Sequence, residues 1–549
     1  MLAGILIKRG LNEPTAAEAF LHPRLSDLHD PLTMKGMERV VGRILLARER
    51  REKILIYGDY DVDGITSTVV LRRALEILKI EVDFYLPKRL EEGYGLRTHV
   101  IRRAADQGYR LVVTADAGIR AFEVCQLARD LGIDLIVTDH HLPDKELPAA
   151  WAIINPKQEG CDYPDKDLAA VGVVFKLVQA LFEAEGLSRY VPHFLKLVAI
   201  GTIADLVPLR GENRVIAKLG LAGLADPRNI GLKALLDGAG VGQEVSHFDV
   251  GFKLAPRINA VTRMGGGREV VDLFAVQDEA RARQIVDQMN QKNLQRREEE
   301  DRILEQILER AQENPADFEK KFILVSGRDW HRGVIGIVAS RLVERFYRPV
   351  LVISRSDEMC QGSGRSIPGF HLLDALESCR DLFSAFGGHM QAVGCSFQPK
   401  DYTSSLETEL AARLETHATE HLGPEDLIPS IAIESLLPVE DLTLGFLAQL
   451  NELAPFGIGN PLPIFASRQV EVVGGPWILK EKHLKFKMRA NGSAVDAIWW
   501  RKADAAQDVE NGSRLDLAYS LGKNTYRGLE SVQVTIKDIR PTDGTTGET

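Results

Sequence analysis

Carboxylates and histidines that could hold metal ions occur in short segments, each following an apolar run. In GDYDVDG at 58–64, Asp59, Asp61 and Asp63 occupy alternate positions between two glycines that let the backbone bend. Carboxylates this close repel one another, and a bound divalent cation is the simplest compensation. Taken alone, this segment could also be a solvated acidic turn.

Further ligand types follow later apolar runs. Asp116 follows LVVTA, the trio Asp139, His140 and His141 follows DLIVT, and Asp205 follows LVAIGTIA. Oxygen ligands with one or two imidazoles suit Mn²⁺ or Mg²⁺, whereas a structural Zn²⁺ site favours thiolates. Two such ions about 3.5–4 Å apart would generate a hydroxide and stabilise a phosphoryl group under attack. We therefore predict a two-metal centre for phosphoryl chemistry.

The elements that must position these residues are parallel strands. Between Lys53 and about Leu209, short β-rich runs such as ILIYGD and LVVTAD alternate with helical stretches such as STVVLRRALEIL. This alternation predicts βαβ units and a largely parallel sheet. An open α/β sheet binds its ligand at the carboxyl ends of its strands, where the acidic segments lie.

After this region, the composition and the residue pattern of the chain change. A charged, glycine-free stretch from about 270 to 318 predicts one long helix, and its run QRREEEDR at 295–302 is interpreted as a solvated face. A second α/β segment follows, and short alternating strands from about Ile428 predict a small β-barrel. The predicted units are an N-terminal helical segment, a parallel-sheet domain, the connecting helix, a smaller α/β domain and the barrel, at 1–45, 46–272, 273–318, 319–425 and 426–549.

The composition is that of a globular chain in which acidic residues outnumber basic ones. Hydrophobic residues make up 45% of the 549 positions, which excludes disordered, collagenous and small disulfide-stapled classes. The net charge of −10 is not that of a globally basic nucleic-acid-binding protein, yet basic residues outnumber acidic ones between Arg468 and Lys502. A local cationic track can therefore still bind DNA.

The lack of recognisable targeting signals and the pattern of cysteines predict a cytoplasmic protein. No apolar run approaches the length needed to span a bilayer, and the first residues lack the features of a signal peptide. The five cysteines are scattered without a CxxC pair, which fits reduced thiols better than disulfides or a zinc site. We expect no membrane association.

Several arginine-containing segments could hold phosphate, because a guanidinium presents a fork of donors to phosphate oxygens. GSGRS at 362–366 could alternatively be a plain tight turn, but the nearby GGH favours phosphate contact. The candidates in these segments are Lys88, Arg89, Arg257, Asn259, Arg263, Ser363, Arg365 and His389.

A cationic strand is predicted in the barrel. From His483 to Arg489 the residues alternate, so a strand would bury Leu484, Phe486 and Met488 on one face. The other face would present Lys485, Lys487 and Arg489 to a DNA backbone, with Trp499 and Trp500 as candidate stacking platforms. The alternative is an edge strand that lysines protect from aggregation.

These motifs resemble a known superfamily. GDYDVDG, TADAG, TDHH and the later Asp205 resemble, in order and spacing, the four motifs of the DHH phosphoesterase superfamily. PRINAVTRMG, DWHRGVIGIVASRL, GSGRS and GGHMQAVGCSF resemble the pattern of the RecJ family of single-strand-DNA exonucleases, with its DHH-associated domain and oligonucleotide-binding (OB) barrel.

The resemblance implies roles for the acidic and histidine residues. It implies that Asp61 and Asp63 ligate one metal each, that Asp116 bridges the two, and that His140 and Asp205 complete the set. His141 would face the scissile phosphate, and Asp139 would orient the histidines. Tyr57 stands where many superfamily members have a histidine, with Asp59 close by in compensation. The arginine and serine positions would bind a terminal 5′-phosphate.

The resulting hypothesis is a Mn²⁺- or Mg²⁺-dependent 5′→3′ exonuclease that degrades single-stranded DNA to mononucleotides in repair and recombination. By resemblance only, a single-strand-binding protein or a RecQ-type helicase would be its partner. The alternatives are another DHH phosphoesterase, acting on pyrophosphate, nano-RNA or a cyclic dinucleotide, and a non-catalytic DNA-binding relative. The barrel disfavours the first alternative, and the retained ligands disfavour the second.

Overall fold

A computed structural model describes residues 1–490 and 493–542. It contains a parallel five-stranded sheet, a long helix, a mixed five-stranded sheet and a C-terminal five-stranded barrel. The predicted fold class is confirmed. Among the described residues, no helix combines the length and hydropathy needed to cross a membrane.

The first sheet explains why the acidic segments meet. Its strands have the order β2-β1-β3-β4-β5, and each neighbouring pair is parallel. Strands β1 and β3 are buried at every position, as continuous apolar runs in a covered parallel sheet must be. Gly58 at the end of β1 pairs with Ala115 at the end of β3, so the residues that follow them emerge side by side. The strands are β1 (Ile54–Gly58), β2 (Val82–Tyr85), β3 (Leu111–Ala115), β4 (Asp134–Thr138) and β5 (Ala152–Ile154).

Helices cover this sheet and continue past it. A π-helical turn at Val250–Leu254 joins α11 directly to α12. The helices are α1 (Leu2–Lys8), α2 (Pro14–Leu21), α3 (Met37–Glu49), α4 (Val62–Ile77), α5 (Thr98–Asp106), α6 (Phe122–Asp130), α7 (Ala170–Ala184), α8 (Leu195–Ala204), α9 (Gly211–Gly223), α10 (Ile230–Gly238), α11 (His247–Asp249), α12 (Ala255–Arg263) and α13 (Arg268–Leu273).

The long helix is shorter than the predicted 270–318. Helix α14 spans Glu279–Glu313, because the Asp278 side chain caps its start by accepting a hydrogen bond from the Arg281 N–H. It ends where Asn314 precedes Pro315, and the residue before a proline avoids helical geometry. The short helix α15 (Pro315–Glu319) follows.

The charged run of α14 is not simply a solvated face. Arg296 and Glu300 are buried and joined by a 2.7 Å ion pair between Nη1 and Oε2. Glu300 Oε1 also accepts a 3.0 Å hydrogen bond from Arg341 Nε on the next long helix. The interpretation of this run as solvent-facing was wrong for these two residues, because Glu300, which is paired with Arg296, joins α14 to the second α/β domain.

The second domain carries the mixed sheet, in the order β6-β7-β8-β10-β9. Its first pair is parallel and the others are antiparallel. The elements are β6 (Ile323–Arg328), α16 (Ile335–Phe346), β7 (Val350–Arg355), β8 (Cys360–Arg365), α17 (Leu372–Glu377), β9 (Ala385–Gly388), β10 (Ala392–Phe397) and α18 (Ser404–His421).

The five strands β12 to β16 close into a barrel because β12 pairs with both β13 and β15, and the short strand β11 pairs with β12. Leu484, Phe486 and Met488 of β13 are fully buried inside it, as their alternation predicts. The elements are β11 (Ser435–Leu436), α19 (Leu444–Asn451), β12 (Phe465–Leu479), β13 (His483–Ala490), β14 (Ser493–Trp499), β15 (Arg514–Tyr526) and β16 (Leu529–Pro541).

One buried arginine holds the barrel against the first domain. Arg214 of α9 lies 3.4 Å from the ring centroid of Phe20 in α2. Its Nε donates to the Phe20 carbonyl at 2.5 Å, and Nη2 donates to the Ala454 carbonyl at 3.2 Å. The N-terminal helices, the first domain and the segment before the barrel therefore meet at one side chain.

Candidate metal centre

The turn between β1 and α4 supplies three carboxylates. Asp61 caps α4 through a 3.0 Å hydrogen bond from the Gly64 N–H to Oδ1. Asp63 is buried in the first turn, where its oxygens accept from the backbone N–H groups of α7 at Ala170 and Val171. A side chain at Gly64 would lie 2.7 Å from the Asp59 backbone, so only glycine permits this close turn.

The other candidate ligands come from three neighbouring termini. Asp116 follows β3 with a left-handed φ of +70°, a conformation that Asp tolerates better than most residues. His140 and His141 follow β4. Asp205 is the C-cap of α8. The carboxyl ends of β1, β3 and β4 and the end of α8 thus meet at one edge of the sheet.

The donor atoms form adjoining sets. Within each of three groups, the donor atoms all lie within 4.8 Å of one another. His140 Nε2 lies 3.4 Å from Asp116 Oδ1 and 3.7 Å from Asp205 Oδ2. Asp116 belongs to two groups, so it stands between two places where an ion could bind. The groups are Asp59, Asp61 and Asp116; Asp63, His140 and Asp205; and Asp116, His140 and His141.

Unsatisfied atoms show that these sets fit a divalent cation. Asp59 Oδ1, Asp116 Oδ1, His140 Nε2 and Asp205 Oδ2 are buried and have no hydrogen-bond partner among the described residues. Buried polar atoms without partners are costly, and here four of them lie within two adjoining donor sets. Carboxylate oxygens with imidazole nitrogen suit Mn²⁺ and Mg²⁺.

The electrostatics agree with this fit. Burial and the neighbouring Asp61 carboxylate raise the pKa of Asp63 to about 7. Burial and the charge of Asp63 raise the pKa of Asp205 to about 9. Burial and neighbouring carboxylates also raise the pKa values of Asp59 and Asp116 well above the usual range. A bound cation reverses this effect because it favours the ionised carboxylates.

His140 has the protonation state of a ligand. Burial lowers its pKa to about 3, so the imidazole is neutral at physiological pH. Its Nδ1 lies 3.2 Å from the Leu168 carbonyl oxygen, which can only accept, so Nδ1 carries the proton. The lone pair on Nε2 is left for a metal ion.

Asp139 orients both histidines. Its Oδ1 accepts hydrogen bonds from the backbone N–H groups of His140 and His141 and lies 2.8 Å from His141 Nδ1. Burial alone would raise the pKa of Asp139, but the hydrogen bonds and charge of His141 lower it overall. Burial alone would lower the pKa of His141, but the same contacts raise it.

Two tyrosines distinguish this site. Tyr57 is buried with its ring centroid 5.3 Å from that of Tyr85, and its hydroxyl donates to the Gly95 carbonyl. Tyr57 is therefore not a candidate ligand, whereas Asp59, two residues later, belongs to one of the three donor groups. Sequence reasoning missed Tyr94, whose hydroxyl lies 3.2 Å from His141 Nδ1. The only signal was its position between two glycines in EGYG.

Arginines line the cavity that contains the candidate metal ligands. A cavity of about 270 Å³ joins the donors to Arg89, Asn259 and Arg263. Burial, together with the charges of Arg89 and Arg365, lowers the pKa of Arg263 to about 9. Ser363 lies beside Arg365, with its Oγ 3.3 Å from Nη1. Three arginines clustered in this way indicate a site for an anion.

The remaining predicted phosphate ligands lie elsewhere. Within the described part of the chain, Arg257 does not line this cavity, because its guanidinium bonds to the Asn290 side chain and the Lys253 carbonyl. His389 lines a neighbouring cavity of about 650 Å³, which it shares with Tyr94 and His141. That cavity lies between the first and second domains.

The predicted barrel strand presents its cations, but some are paired. Lys485 Nζ lies 3.0 Å from the Asp496 carboxylate, and Arg489 lies 3.6 Å from that of Glu471. Lys487 is exposed. Trp499 is buried in the barrel core and cannot serve as a stacking platform, whereas Trp500 is about half exposed.

Comparison with known families gives the class. Residues 53–202 match the N-terminal domain of the DHH family, residues 319–414 match the DHHA1 domain and residues 433–538 match the RecJ OB domain. The fold and the metal centre thus define a protein of the DHH class.

Relatives that match nearly the whole chain identify the family within this class. The single-stranded-DNA-specific exonuclease RecJ of Bacillus subtilis is 39% identical over 98% of this chain and 67% of its own length. Its counterpart from Escherichia coli is 35% identical over 92% of this chain and 91% of its own length. The crystal structure of Thermus thermophilus RecJ with Mn²⁺ aligns with a TM-score of 0.84 at 29% identity, over 100% of this chain and 76% of that one. A structure of the same protein was solved with Mg²⁺. The chain belongs to the RecJ family of single-stranded-DNA-specific exonucleases.

A first prediction concerns the orienting carboxylate. We expect Asp139→Asn to lower the rate of DNA hydrolysis by about 10- to 100-fold, because residues that orient metal ligands have effects of this size. Asparagine also removes the charge that raises the pKa of His141, so any dependence of the rate on protonated His141 should move to lower pH. Rates at saturating Mn²⁺ across pH measure both effects.

The matched control is Asp130→Asn on the exposed surface of α6, where the carboxylate bonds only to Gln126 among the described residues. Wild-type rates in both variants would show that the Asp139 carboxylate is not needed.

Proposed function

We propose that this chain hydrolyses single-stranded DNA from its 5′ end and releases mononucleotides, using Mn²⁺ or Mg²⁺, in DNA repair and recombination. The observation that carries the proposal is the arginine cluster of Arg89, Arg263 and Arg365 beside the buried donor sets. A terminal phosphate carries more negative charge than an internal one, and this cluster offers several cationic groups close together.

The donor sets divide between two ions. Asp59 and Asp61 would hold the first ion, and Asp63, His140 and Asp205 would hold the second. Asp116 would contribute to both, since it stands between the sets. Two cations held in this way would supply a hydroxide at neutral pH and neutralise charge on the phosphoryl oxygens.

The protein's own groups complete the chemistry. Asp139 accepts the Nδ1 proton of His141 and raises the pKa of this histidine, so the protonated imidazolium would carry a second proton on Nε2 and donate it to an oxygen of the scissile phosphate. Arg263 and Asn259 line the cavity from α12, and Arg89 faces them from the loop after β2. These donors would hold the phosphate oxygens in place during attack. Ser363, Arg365 and His389 would bind the terminal nucleotide from the second domain.

The barrel would hold the strand farther along. Lys485, Lys487 and Arg489 lie in alternate positions on one face of β13, and we assign them to the DNA backbone. Arg257 would act indirectly, through its bonds to Asn290 and Lys253. Binding should weaken with rising salt because each phosphate contact releases counterions.

The cellular setting follows from the cysteines and from the family likeness. We propose a cytoplasmic location, which the five free cysteines support. Single-strand-binding protein and RecQ-type helicases are proposed partners on the family likeness alone. Of the units proposed from the sequence, at 1–45, 46–272, 273–318, 319–425 and 426–549, three contain the matched family segments. The limits at 45 and 272 fall inside α3 and α13, and the long helix occupies only Glu279–Glu313 of the third unit.

The test follows single strands labelled at the 3′ end, with either a 5′-phosphate or a 5′-hydroxyl. We expect stepwise shortening from the 5′ end, and a rate several-fold higher with the phosphate. Arg365→Ala should abolish most of that preference, because the charge-assisted hydrogen bond that it removes contributes about 1.5–3 kcal/mol, which is more than a several-fold difference in rate.

A matched control is Arg413→Ala on α18, whose guanidinium pairs with Asp381 and Glu409 at the surface. This variant should keep the preference. Shortening from the 3′ end would refute the proposed polarity, and an unchanged preference in Arg365→Ala would refute the phosphate site.

A further inference from the structure

Two exposed phenylalanines stack on each other just before the helix that carries Asn259 and Arg263. Phe248 and Phe252 are 54% and 64% exposed, and their ring centroids lie 4.5 Å apart with planes inclined by 24°. Single exposed apolar residues are ordinary, but a stacked aromatic pair that stays exposed marks a surface for contact. Phe248 lies in α11, and Phe252 lies in the π-helical turn that follows.

The phenylalanine pair is connected along the chain to residues that line the metal cavity. The π-helical turn leads directly into α12, and such turns occur frequently at functional sites. Asn259 and Arg263, which line the metal cavity, follow Phe252 by seven and eleven residues. Asn259 and Arg263 are four residues apart and share one face of α12, and Phe252 stands about two turns before Asn259, in the π-helical turn.

Burial supports this shared face. Leu254, Ile258 and Val261 are buried and fix the opposite side of α12 against the core. Seven helical residues span about 10 Å, so Phe252 stands about that far from Asn259 along the helix, and Phe248 stands farther from it. The distance suits bases of the same DNA strand that has its end in the cavity.

The residues next to the phenylalanine pair contact the barrel and the segment that precedes it. The ring of His247, next to Phe248, contacts that of Phe456 at a centroid distance of 5.5 Å. In the preceding loop, Glu244 lies 3.9 Å from Lys523 of barrel strand β15. The pair therefore lies where a strand would pass from the barrel to the metal centre.

Cationic groups accompany the aromatic rings. Lys253 follows Phe252 and pairs with Asp249 at 2.7 Å. Arg257, one helical turn on, lies near enough to Arg297 of α14 for the two charges to interact. Aromatic faces beside cations are the usual composition of surfaces that hold single strands.

We propose that Phe248 and Phe252 form a stacking ledge for unpaired bases a few nucleotides to the 3′ side of the scissile phosphate. The 3′ assignment rests on the 5′-end polarity proposed above, whereas the ledge itself does not. In a duplex both faces of each base are covered by its neighbours, so the ledge would favour single strands. Phe248 and Phe252 would act as positioning residues, because they would hold bases while the residues of the metal centre act on the scissile phosphate.

The test removes one base at a time. A set of 5′-phosphorylated oligonucleotides carries a single abasic site at successive positions from either end. Affinity is measured by fluorescence anisotropy in an Asp116→Asn background with Mg²⁺ and no turnover. We expect one or two adjacent positions, counted from the 5′ end, at which loss of the base weakens binding by roughly tenfold.

The variants then test whether the rings carry this effect. In Phe248→Ala/Phe252→Ala, the intact oligonucleotide should bind roughly tenfold more weakly, and the abasic penalty should disappear. Phe252→Tyr keeps a ring and should keep the penalty, which separates stacking from a folding defect. Leu32→Ala, at an exposed apolar residue in the N-terminal segment, should behave like the parent.

Each outcome decides between explanations. An unchanged affinity and penalty in the double alanine variant would overturn the ledge, as would loss of the penalty in Phe252→Tyr. The first result is the one expected if the pair instead docks a partner protein. If the sensitive positions are counted from the 3′ end and still depend on the phenylalanines, the ledge stands and the proposed polarity fails.

Discussion

Replacing Asp116 by asparagine should lower the rate of single-strand hydrolysis by at least about 10³-fold and, at the same time, stabilise the metal-free protein. The rate falls because Asp116 belongs to two donor groups, and its loss removes several kcal/mol of metal-dependent stabilisation. Asparagine tolerates the φ of +70° at this position, so the backbone should be preserved.

The gain in stability has an electrostatic cause. Asp116 is fully buried, and burial together with Asp63, Asp61, Asp59 and Asp205 raises its pKa. Removing one of these mutually repelling carboxylates should raise the melting temperature in EDTA, by on the order of 1 kcal/mol or more in free energy of unfolding. Rate assays in Mn²⁺ and melting curves in EDTA measure the two effects.

The control is Asp381→Asn, an exposed carboxylate paired with Arg413. It should change neither quantity. If Asp116→Asn kept a tenth or more of the activity, the shared-ligand assignment would be wrong. A lower melting temperature in EDTA would show that the carboxylate stabilises the metal-free protein.

Removing the metal should abolish activity and make the stability of the protein fall with pH between about 7 and 9. Asp63 and Asp205 have pKa values raised to about 7 and 9, and those of Asp59 and Asp116 are also raised. A group whose pKa is higher in the folded state contributes stability below its unfolded pKa and loses it as pH rises through the folded value. His140, with its lowered pKa, acts in the opposite direction but only below about pH 6.5.

Melting temperatures measured in EDTA and in saturating Mg²⁺ test this linkage. With Mg²⁺ the carboxylates are already ionised, so the downward slope above pH 7 should disappear, and Mg²⁺ or Mn²⁺ should restore activity. Asp205→Asn should flatten the slope in EDTA, while Asp381→Asn should not. Identical slopes with and without Mg²⁺ would mean that the ion does not bind these carboxylates.

The architecture was largely readable from the chain. Alternating apolar runs and helical stretches predicted the parallel sheet, and the strict alternation after His483 predicted which side chains of β13 are buried. Both patterns are local consequences of backbone periodicity, which needs no knowledge of distant contacts. The boundaries of α14 were less readable because a capping aspartate and a proline interrupt a continuous charged pattern.

Side-chain environments were not readable in the same way. Arg296 and Glu300 belong to a charged run, yet they are buried, and Glu300 pairs both with Arg296 and with Arg341 of another domain. Trp499 and its neighbour Trp500 look alike in sequence, but only Trp499 faces the barrel core. Each outcome depends on which element packs against the residue.

The sequence by itself determined the kinds of ligand and the edge of the sheet at which they gather, since parallel strands bring their carboxyl ends together. Only the tertiary structure decided that Asp116 stands between two donor sets, that Arg263 rather than Arg257 lines the cavity, and that Phe248 and Phe252 remain exposed. The physical reason is that strand order follows from local patterns, whereas the direction of each side chain follows from the packing of helices and domains far apart in the chain.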